Sequence, residues 1–463
     1  MFDIKQRGSR VGHEVLGGLT TFMAMSYILV VQPAVLSKAG MDPHAVFMAT
    51  CISAAIGSIL MGLLANYPIA LAPGMGENFF FVFTLCGVGA ASGVFKLTWQ
   101  EALALTAIAG LVFLLLSLVG FRSRLLNAIP DALKSGIAAG IGLFIALIGF
   151  EWGNIVVHDE STMIKLAGMK GNYVAALTFL GLAVTLALTA FRVRGAILIG
   201  ILATTGATGL VGWICGVPGL KWMGLAGMPH GLDKTAGQFL WGFGSLFEKL
   251  FSRNGADVLA FGFIVLFMVM FDTVGTLVGV AKRAGLMHQG HLPKAERALA
   301  ADAAATVIGG AFGTSTVTSY IESITGVASG ARTGLAAVVT GLCLLAALFF
   351  QPLVLMIGGG IEVGRYSWGD PILRYPMIAP ALILVGALMM RAIRDIEWDD
   401  PTEALPAFLS MVAMPFAYSI SAGIAIGFIS YAFAKLVTGR LRQCPPIVYI
   451  FAVLFVVQYL ISG

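Results

Sequence analysis

The chain has 463 residues, of which 58% are hydrophobic and 11% are charged. A soluble domain carries about 25% charged residues, so this composition excludes an ordinary soluble protein and predicts a polytopic membrane protein in contact with the lipid bilayer. The net charge of +5 is spread over segment ends and gives no signal for a nucleic-acid partner. The five cysteines lack metal-ligand or disulfide spacing and no enzyme motif is present, so we expect no metal, no cofactor and no enzymatic activity.

Apolar segments of about 20 residues, the length that a spanning helix needs, recur along the whole chain. We predict about fourteen spans by this criterion. In chain order they lie near Val15–Leu36, Ala45–Ala65, Ile69–Gly87, Ala102–Val119, Ser135–Phe150, Tyr173–Ala190, Ala196–Cys215, Val258–Ala281, Ala298–Ala311, Thr314–Ala328, Thr333–Phe350, Tyr375–Met390, Leu405–Tyr418 and Ile420–Leu436. A further run, Pro446–Ile461, predicts a short extra span or an interfacial helix.

Clusters of basic residues set the expected orientation of these segments. They precede the first predicted span and follow the fourth, sixth, eighth and fourteenth. Because Lys and Arg are enriched in cytoplasmic loops, this pattern predicts a cytoplasmic N-terminus and an even number of spans. We therefore expect an integral protein of the plasma membrane, which in a bacterium is the cytoplasmic membrane.

The longest polar connection, residues 216–257, divides the chain into a first half, 1–215, and a second half, 258–437, and a basic loop with the extra apolar run follows at 438–463. With about seven spans each, the halves must have opposite orientations in the membrane. Their third segments are both interrupted, by Ala72–Asn78 (APGMGEN) and by Gly313–Glu322 (GTSTVTSYIE). Interrupted segments at corresponding positions indicate a transport site, since free backbone groups at membrane depth must line a cavity or find a partner.

Acidic residues lie within several of the predicted membrane-spanning segments. Asp272 lies in segment eight, Glu322 in segment ten, and Glu77 precedes Asn78 in segment three. An ionisable group in the hydrocarbon region costs several kcal/mol, so it usually faces a cavity on a substrate or ion path. Asp302 begins the ninth predicted segment, where a helix-capping role is as reasonable as a functional one.

Several stretches together resemble one known family. They are Gly18–Pro33 (GLTTFMAMSYILVVQP), Ala72–Gly76 (APGMG) with Asn78, Phe271–Gly285 (FDTVGTLVGVAKRAG), Ala301–Ala304 (ADAA), Gly313–Thr333 (GTSTVTSYIESITGVASGART) and Thr402–Tyr431. The chain resembles the nucleobase–cation symporter family 2 and, within it, the adenine/guanine/hypoxanthine permease branch. The resemblance implies an all-α fold of fourteen spans in two inverted repeats, arranged as a core and a gate domain. It also implies short strand-like stretches in segments three and ten that meet near the midplane.

The resemblance implies a secondary active transporter that takes up adenine, guanine or hypoxanthine by proton symport with alternating access. Its partners would be a purine nucleobase and a proton, and its assembly a homodimer formed through the gate domain. Asp272 and Glu322 correspond to the family's paired acids, and Asn78 to its polar residue in segment three.

The chemistry of a purine fits these acids. A purine edge presents ring N–H and amine donors, and an ionised carboxylate can accept two of them at once. We expect Glu322 to hold the base in this way, while Asp272 binds a second edge or carries the coupled proton. Glu322 and Glu77 are further candidates for proton coupling. The remaining candidate substrate ligands are Thr276, Tyr320 and Ser26, with Phe79 or Phe80 stacking on the ring.

Two departures from the family pattern accompany these expectations. The family commonly has a hydrophobic residue followed by Asn-Ala where this chain has Glu77-Asn78-Phe79, and Gly358–Arg374 resembles an insertion on the outer face. The alternatives are a permease of the same fold for xanthine or uracil, an anion carrier, or a channel. Acids at both key positions argue against an anion, because anion sites favour basic residues or bare helix N-termini.

Overall fold

The computed structural model describes residues 2–89, 95–118, 130–159, 161–252, 254–287, 292–365 and 371–462. Within these ranges, nine helices are long and apolar enough to cross a membrane. They are Val11–Ala39, Pro43–Ala65, Trp99–Leu118, Asp131–Trp152, Tyr173–Ala190, Ala196–Cys215, Gly255–Ala284, Gly334–Gly358 and Ile420–Val437. The prediction of a mostly helical polytopic membrane protein is confirmed, whereas the count of fourteen spans stays a prediction.

The helices are numbered in chain order. They are α1 (Val11–Met25), α2 (Ile28–Leu36), α3 (Pro43–Leu60), α4 (Met75–Phe79), α5 (Trp99–Leu118), α6 (Asp131–Trp152), α7 (Tyr173–Ala190), α8 (Ala196–Cys215), α9 (Phe239–Leu250), α10 (Gly255–Ala284), α11 (Ala295–Phe312), α12 (Ser323–Ala328), α13 (Gly334–Ala347), α14 (Gln351–Gly358), α15 (Ala379–Met389), α16 (Pro401–Phe416), α17 (Ile420–Val437) and α18 (Pro446–Ser462). Wider π-type turns, Met61–Ala65 and Phe80–Leu85, continue α3 and α4.

Six short strands form three antiparallel pairs. They are β1 (Leu71–Pro73), β2 (Val156–Asp159), β3 (Met163–Leu166), β4 (Val317–Ser319), β5 (Ile361–Arg365) and β6 (Pro371–Arg374). β1 pairs with β4, which confirms the strand-like stretches expected in segments three and ten. The pairs β2–β3 and β5–β6 are hairpins that the all-α prediction missed, and β5–β6 lies within the expected insertion.

Hydroxyl side chains satisfy the backbone of the β1–β4 pair. Ser58 Oγ accepts from Leu71 N at 2.9 Å, and Ser323 Oγ accepts from Ala70 N at 3.0 Å. Thr306 donates to the carbonyl of Val317 at 2.9 Å. Because water is scarce at membrane depth, a non-helical backbone is stable there only when protein groups such as these hydroxyls satisfy its hydrogen bonds. This role explains part of the high Ser and Thr content of segment ten and its neighbours.

Two regions differ from a simple series of spans. The polar connection 216–257 contains the helix α9, which is tied to α5 by a 2.7 Å ion pair between Lys249 and Glu101. The extra C-terminal run forms α18, and its Phe451 contacts the rings of Phe263 in α10 and Phe428 in α17. Both segments therefore pack on the helical body.

Candidate functional site

The β1–β4 pair brings the two interrupted segments together. Ala72 lies opposite Thr318 in the antiparallel register. Further backbone bonds extend the pairing at both ends, from Gly74 N to Thr316 O at 3.2 Å and from Tyr320 N to Ala70 O at 2.9 Å. Each strand is followed by a short helix, α4 after β1 and α12 after β4. The acids that follow the strands are thereby held close to the strand crossing.

Glu322 lies immediately before α12 and is partly exposed. The hydroxyl of Tyr27 donates to its Oε1 at 2.7 Å. Tyr27 lies at the break between α1 and α2 and is only 1% exposed, so the donor of this hydrogen bond is buried. Sequence reasoning selected the neighbouring Ser26 instead, whose hydroxyl donates back to Met23 O at 3.2 Å. Nothing in the local sequence distinguishes Tyr27 from a tyrosine that faces lipid, so no sequence signal could have identified it.

Asp272 lies on α10 and its side chain is exposed. Its carboxylate is within electrostatic range of those of Glu77 and Glu322, and Thr318 lies within its hydrogen-bonding reach. Thr276 follows one turn later on α10 and is buried. The structure therefore brings the two predicted key acids and the third acid into one region.

The face of α10 that carries Asp272 is buried on the N-terminal side of this residue and exposed on its C-terminal side. Val265 and Met268, which precede Asp272 on this face, are buried. Gly275 and Lys282, which follow it, are exposed. The exposed positions of this face therefore lie at Asp272 and toward the basic end of α10.

Aromatic residues pack beside the strand crossing. Phe79 stacks on Phe83 with ring centroids 5.9 Å apart, and Phe83 meets Tyr418 edge-on at 5.5 Å. Phe80 packs edge-on against Phe261 of α10 at 6.4 Å. The two rings predicted to stack on a base thus have different neighbours, and both are buried.

Asn78 is 0% exposed, and its side chain is hydrogen-bonded to Ser315 at the start of segment ten. Its Oδ1 accepts from the hydroxyl of Ser315, which also accepts from Gln32 Nε2 at 3.1 Å. Its Nδ2 has no partner in the described part of the chain. A buried amide donor without a partner is costly, so this group is available to a bound ligand.

Glu77 is 6% exposed, and its carboxylate folds back over Gly74. A Cβ at Gly74 would clash with Glu77 Oε2, so a larger residue there would displace the carboxylate. Tyr320 is buried and donates to the carbonyl of Pro73 at 2.5 Å. This bond links segment ten to segment three across the crossing.

Asp302 lies well inside α11 and is 0% exposed, so the helix-capping interpretation is wrong. Its carboxylate accepts from Thr273 at 2.5 Å and from Ser319 at 2.6 Å. Thr273 belongs to α10 and Ser319 to β4, so Asp302 joins three elements beside the site. The prediction placed the start of the ninth segment too late, at Ala298 rather than Ala295.

No Lys or Arg side chain forms an ion pair with Glu77, Asp272, Asp302 or Glu322 in the described residues. The same residues contain no group of three His, Cys, Asp or Glu placed to hold a metal ion. Carboxylates without cationic partners at membrane depth are costly unless they are protonated or meet donors or a cation. The site can therefore bind ligands rich in N–H donors and can take up positive charge.

Comparisons with known proteins place the chain in a family. The sequence model of a permease family matches residues 12–426. The guanine/hypoxanthine permease PbuO of Bacillus subtilis is 41% identical over 461 residues, which cover 100% of each chain. The adenine permease AdeP of Escherichia coli is 38% identical over 460 residues, which cover 99% of this chain and 95% of AdeP. The chain belongs to this permease family. The resemblance to the adenine/guanine/hypoxanthine branch of nucleobase–cation symporter family 2 is confirmed.

A solved structure shares the fold. The transmembrane domain of a cyanobacterial bicarbonate transporter, BicA, matches with a TM-score of 0.61 at 14% identity, covering 89% of this chain and 97% of that domain. At this identity the likeness shows the fold alone. Together with the apolar helices, it establishes an integral membrane protein with a transporter fold.

Proposed function

We propose that this protein is a secondary active transporter that takes up purine nucleobases by proton symport with alternating access. The observation that carries this proposal is the pair of carboxylates, Asp272 and Glu322, held near the crossing of two interrupted segments with no cationic partner among the described residues. The names of the relatives PbuO and AdeP, which are guanine/hypoxanthine and adenine permeases, support purine bases as the substrates.

In the proposed complex, Glu322 accepts N–H donors from one edge of the base. One of its oxygens already accepts from Tyr27, and this bond holds the carboxylate in a fixed orientation. Asp272 binds a second edge or carries the coupled proton, and Asn78 Nδ2 supplies a donor for a purine ring nitrogen or carbonyl. Thr276, Tyr320, Ser26 and one of Phe79 and Phe80 complete the proposed ligands.

Proton coupling needs groups that can change protonation during the cycle. Asp272, Glu322 and Glu77 are the proposed carriers, because they are close enough to influence one another's charge. When a proton neutralises one of them, the repulsion among the remaining charges falls. Binding of a base and of a proton would therefore favour each other.

The proposed cycle alternates access between the two membrane faces. The exposure of Asp272, Gly275 and Lys282 along one face of α10 supports a conformation that is open to the cytoplasm, if the basic ends of the spans are cytoplasmic. This orientation, a plasma-membrane location, two inverted repeats forming core and gate domains, and a homodimer through the gate belong to the same proposal. Xanthine or uracil are alternative substrates, and an anion fits the acidic site less well.

Uptake of radiolabelled adenine, guanine, hypoxanthine, xanthine and uracil into permease-deficient cells tests the proposal. We expect uptake of at least one purine, with a large decrease after addition of a protonophore. Glu322→Gln should abolish uptake, whereas Glu362→Gln, in the hairpin strand β5, should leave it unchanged. Absence of purine uptake in cells that contain the protein would refute the function, and full uptake by Glu322→Gln would refute the site.

A further inference from the structure

An apolar groove of about 290 Å³ lies between α5, α9 and α10 and is partly open to its surroundings. Two of its walls, α5 and α10, are helices long and apolar enough to span a membrane. The lining residues lie between Leu105 and Val112 on α5, between Phe243 and Leu250 on α9, and between Val258 and Leu266 on α10. None of the lining residues that the structure describes has a polar side chain.

The helix α9 is fixed to α5 by polar contacts and presents aromatic rings to the groove. Ser245 and Lys249 of α9 both donate to the carboxylate of Glu101 in α5, Lys249 at 2.7 Å. Phe243 and Phe247, which line the groove, remain 48% and 57% exposed. One wall of the groove therefore consists of large rings that are only half covered.

The position of the groove along the helices matches the hydrocarbon layer of one leaflet. The ion pair between Lys249 and Glu101 lies one helical turn before Leu105, the first lining residue of α5. Trp241 of α9 is 80% exposed, as is typical of tryptophan at a membrane–water interface. From this polar end, the lining stretch Val258–Leu266 of α10 extends for about 12 Å, whereas the hydrocarbon layer of one leaflet is about 15 Å thick.

A groove of this size and polarity needs an apolar occupant. Water is not held stably without polar partners. An empty groove would lose the dispersion contacts that its lining could make. The membrane around the spans supplies acyl chains, which fit both the apolar lining and the depth of the groove.

We propose that this groove binds one acyl chain of a phospholipid, whose headgroup lies near the ion pair between Lys249 and Glu101. The chain packs between α9 and α10 and covers the rings of Phe243 and Phe247. Because the nearby ion pair is neutral overall, binding depends on the length of the chain and little on the charge of the headgroup. The bound lipid stabilises the packing of α9 on the spans, whatever the protein transports.

Titration of the delipidated full-length protein with phospholipids, read by native mass spectrometry at a fixed detergent concentration, tests the proposal. The wild-type protein should bind one tightly held copy of palmitoyl-oleoyl phosphatidylglycerol or phosphatidylethanolamine, with similar affinities. A dioctanoyl lipid should bind at least tenfold more weakly, because its shorter chains bury less apolar surface.

A pair of glycine variants locates the site. A Cβ at Gly262 would lie 3.3 Å from Leu105 Cδ1 at the base of the groove, so the side chain of Gly262→Leu should occupy the groove and lower the affinity at least tenfold. Gly206→Leu adds the same side chain on an exposed face of α8, where a Cβ meets nothing within 4 Å, and should bind as the wild type does. Added long-chain lipid should raise the Tm of the wild type and of Gly206→Leu more than that of Gly262→Leu.

Several results would overturn the proposal. They are the absence of a tightly held lipid in the wild type, unchanged affinity in Gly262→Leu, an equal loss in Gly206→Leu, or equal binding of the dioctanoyl lipid. Dimers that dissociate in Gly262→Leu but not in Gly206→Leu would assign the groove to a second copy of the chain and would also overturn it. If gel filtration shows that Gly262→Leu is misfolded, Val112→Trp, which fills the groove from α5, carries the same test.

Discussion

Removal of the Tyr27 hydroxyl tests how Glu322 is oriented. In Tyr27→Phe the phenol no longer donates its 2.7 Å bond to Glu322 Oε1, while the buried ring remains in place. A hydrogen bond to a charged group contributes about 1.5–3 kcal/mol. Part of this free energy is lost equally in the base-free and the base-bound protein. That part cancels in the free energy of base binding. The part that affects binding is the cost of fixing the freed carboxylate, which is about 0.5–1.5 kcal/mol for a flexible side chain.

This cost predicts a KM for the base that is about two- to twelvefold higher in Tyr27→Phe, with little change in the maximal rate. The assay is initial-rate uptake of labelled base by proteoliposomes under an imposed pH gradient. Tyr431→Phe is a matched control, because Tyr431 donates to Glu403 at the same 2.7 Å between α17 and α16, away from the site. An unchanged KM in Tyr27→Phe, or an equal increase in Tyr431→Phe, would refute the proposed role of Tyr27.

Three further predictions concern other parts of the structure. Gly74→Ala should yield a folded protein with weakened base uptake, because the added Cβ would clash with Glu77 Oε2 and displace the carboxylate; uptake equal to wild type would contradict this. Asp302→Asn should lower the free energy of unfolding by about 1–3 kcal/mol in a thermal or denaturant assay, since an amide cannot accept equally from two donors, and an unchanged value would contradict it. Outside the spans, hydrogen bonds from the backbone and hydroxyl of Thr402 and from Arg440 lower the pKa of Asp400 from 3.8 to about 2. The depressed pKa stabilises the fold above pH 4 and this stabilisation is lost as the pH falls through 2, so Asp400→Asn should flatten the pH dependence of unfolding in that window.

Features that depend on local sequence could be predicted. The interruptions at APGMGEN and GTSTVTSYIE follow from Gly, Pro and hydroxyl residues in apolar surroundings, and the structure has a strand in each. The acids Asp272 and Glu322 could be selected because a charge in an apolar segment is costly wherever the chain folds. The meeting of the two interrupted segments also follows, since their free backbone groups need partners at membrane depth.

Features that depend on contacts between distant segments could not be predicted. The partner of Glu322 is Tyr27, and nothing in either local sequence distinguishes this tyrosine from one that faces lipid. Asp302 was misjudged because hydropathy locates the end of a span only within a turn or so, and a shift of one turn moves an acid from the interface to the interior. Its two donors come from α10 and β4, so its role is visible only when three elements are assembled.

Glu77 could be identified as an unusual residue from the local sequence. Its role could not be interpreted, because that role depends on contacts with distant segments. Sequence reasoning identified it as a third acid next to the base site and as a candidate for proton coupling. In the structure its carboxylate turns back over Gly74, beside a cavity whose other polar groups come from α5 and from the residues before β4. A nearly buried carboxylate differs in its surroundings from the exposed Asp272, because burying a charge without an ion-pair partner is costly. The surroundings of Glu77 therefore depend on contacts with α5 and with the residues before β4, which the local sequence of segment three does not show.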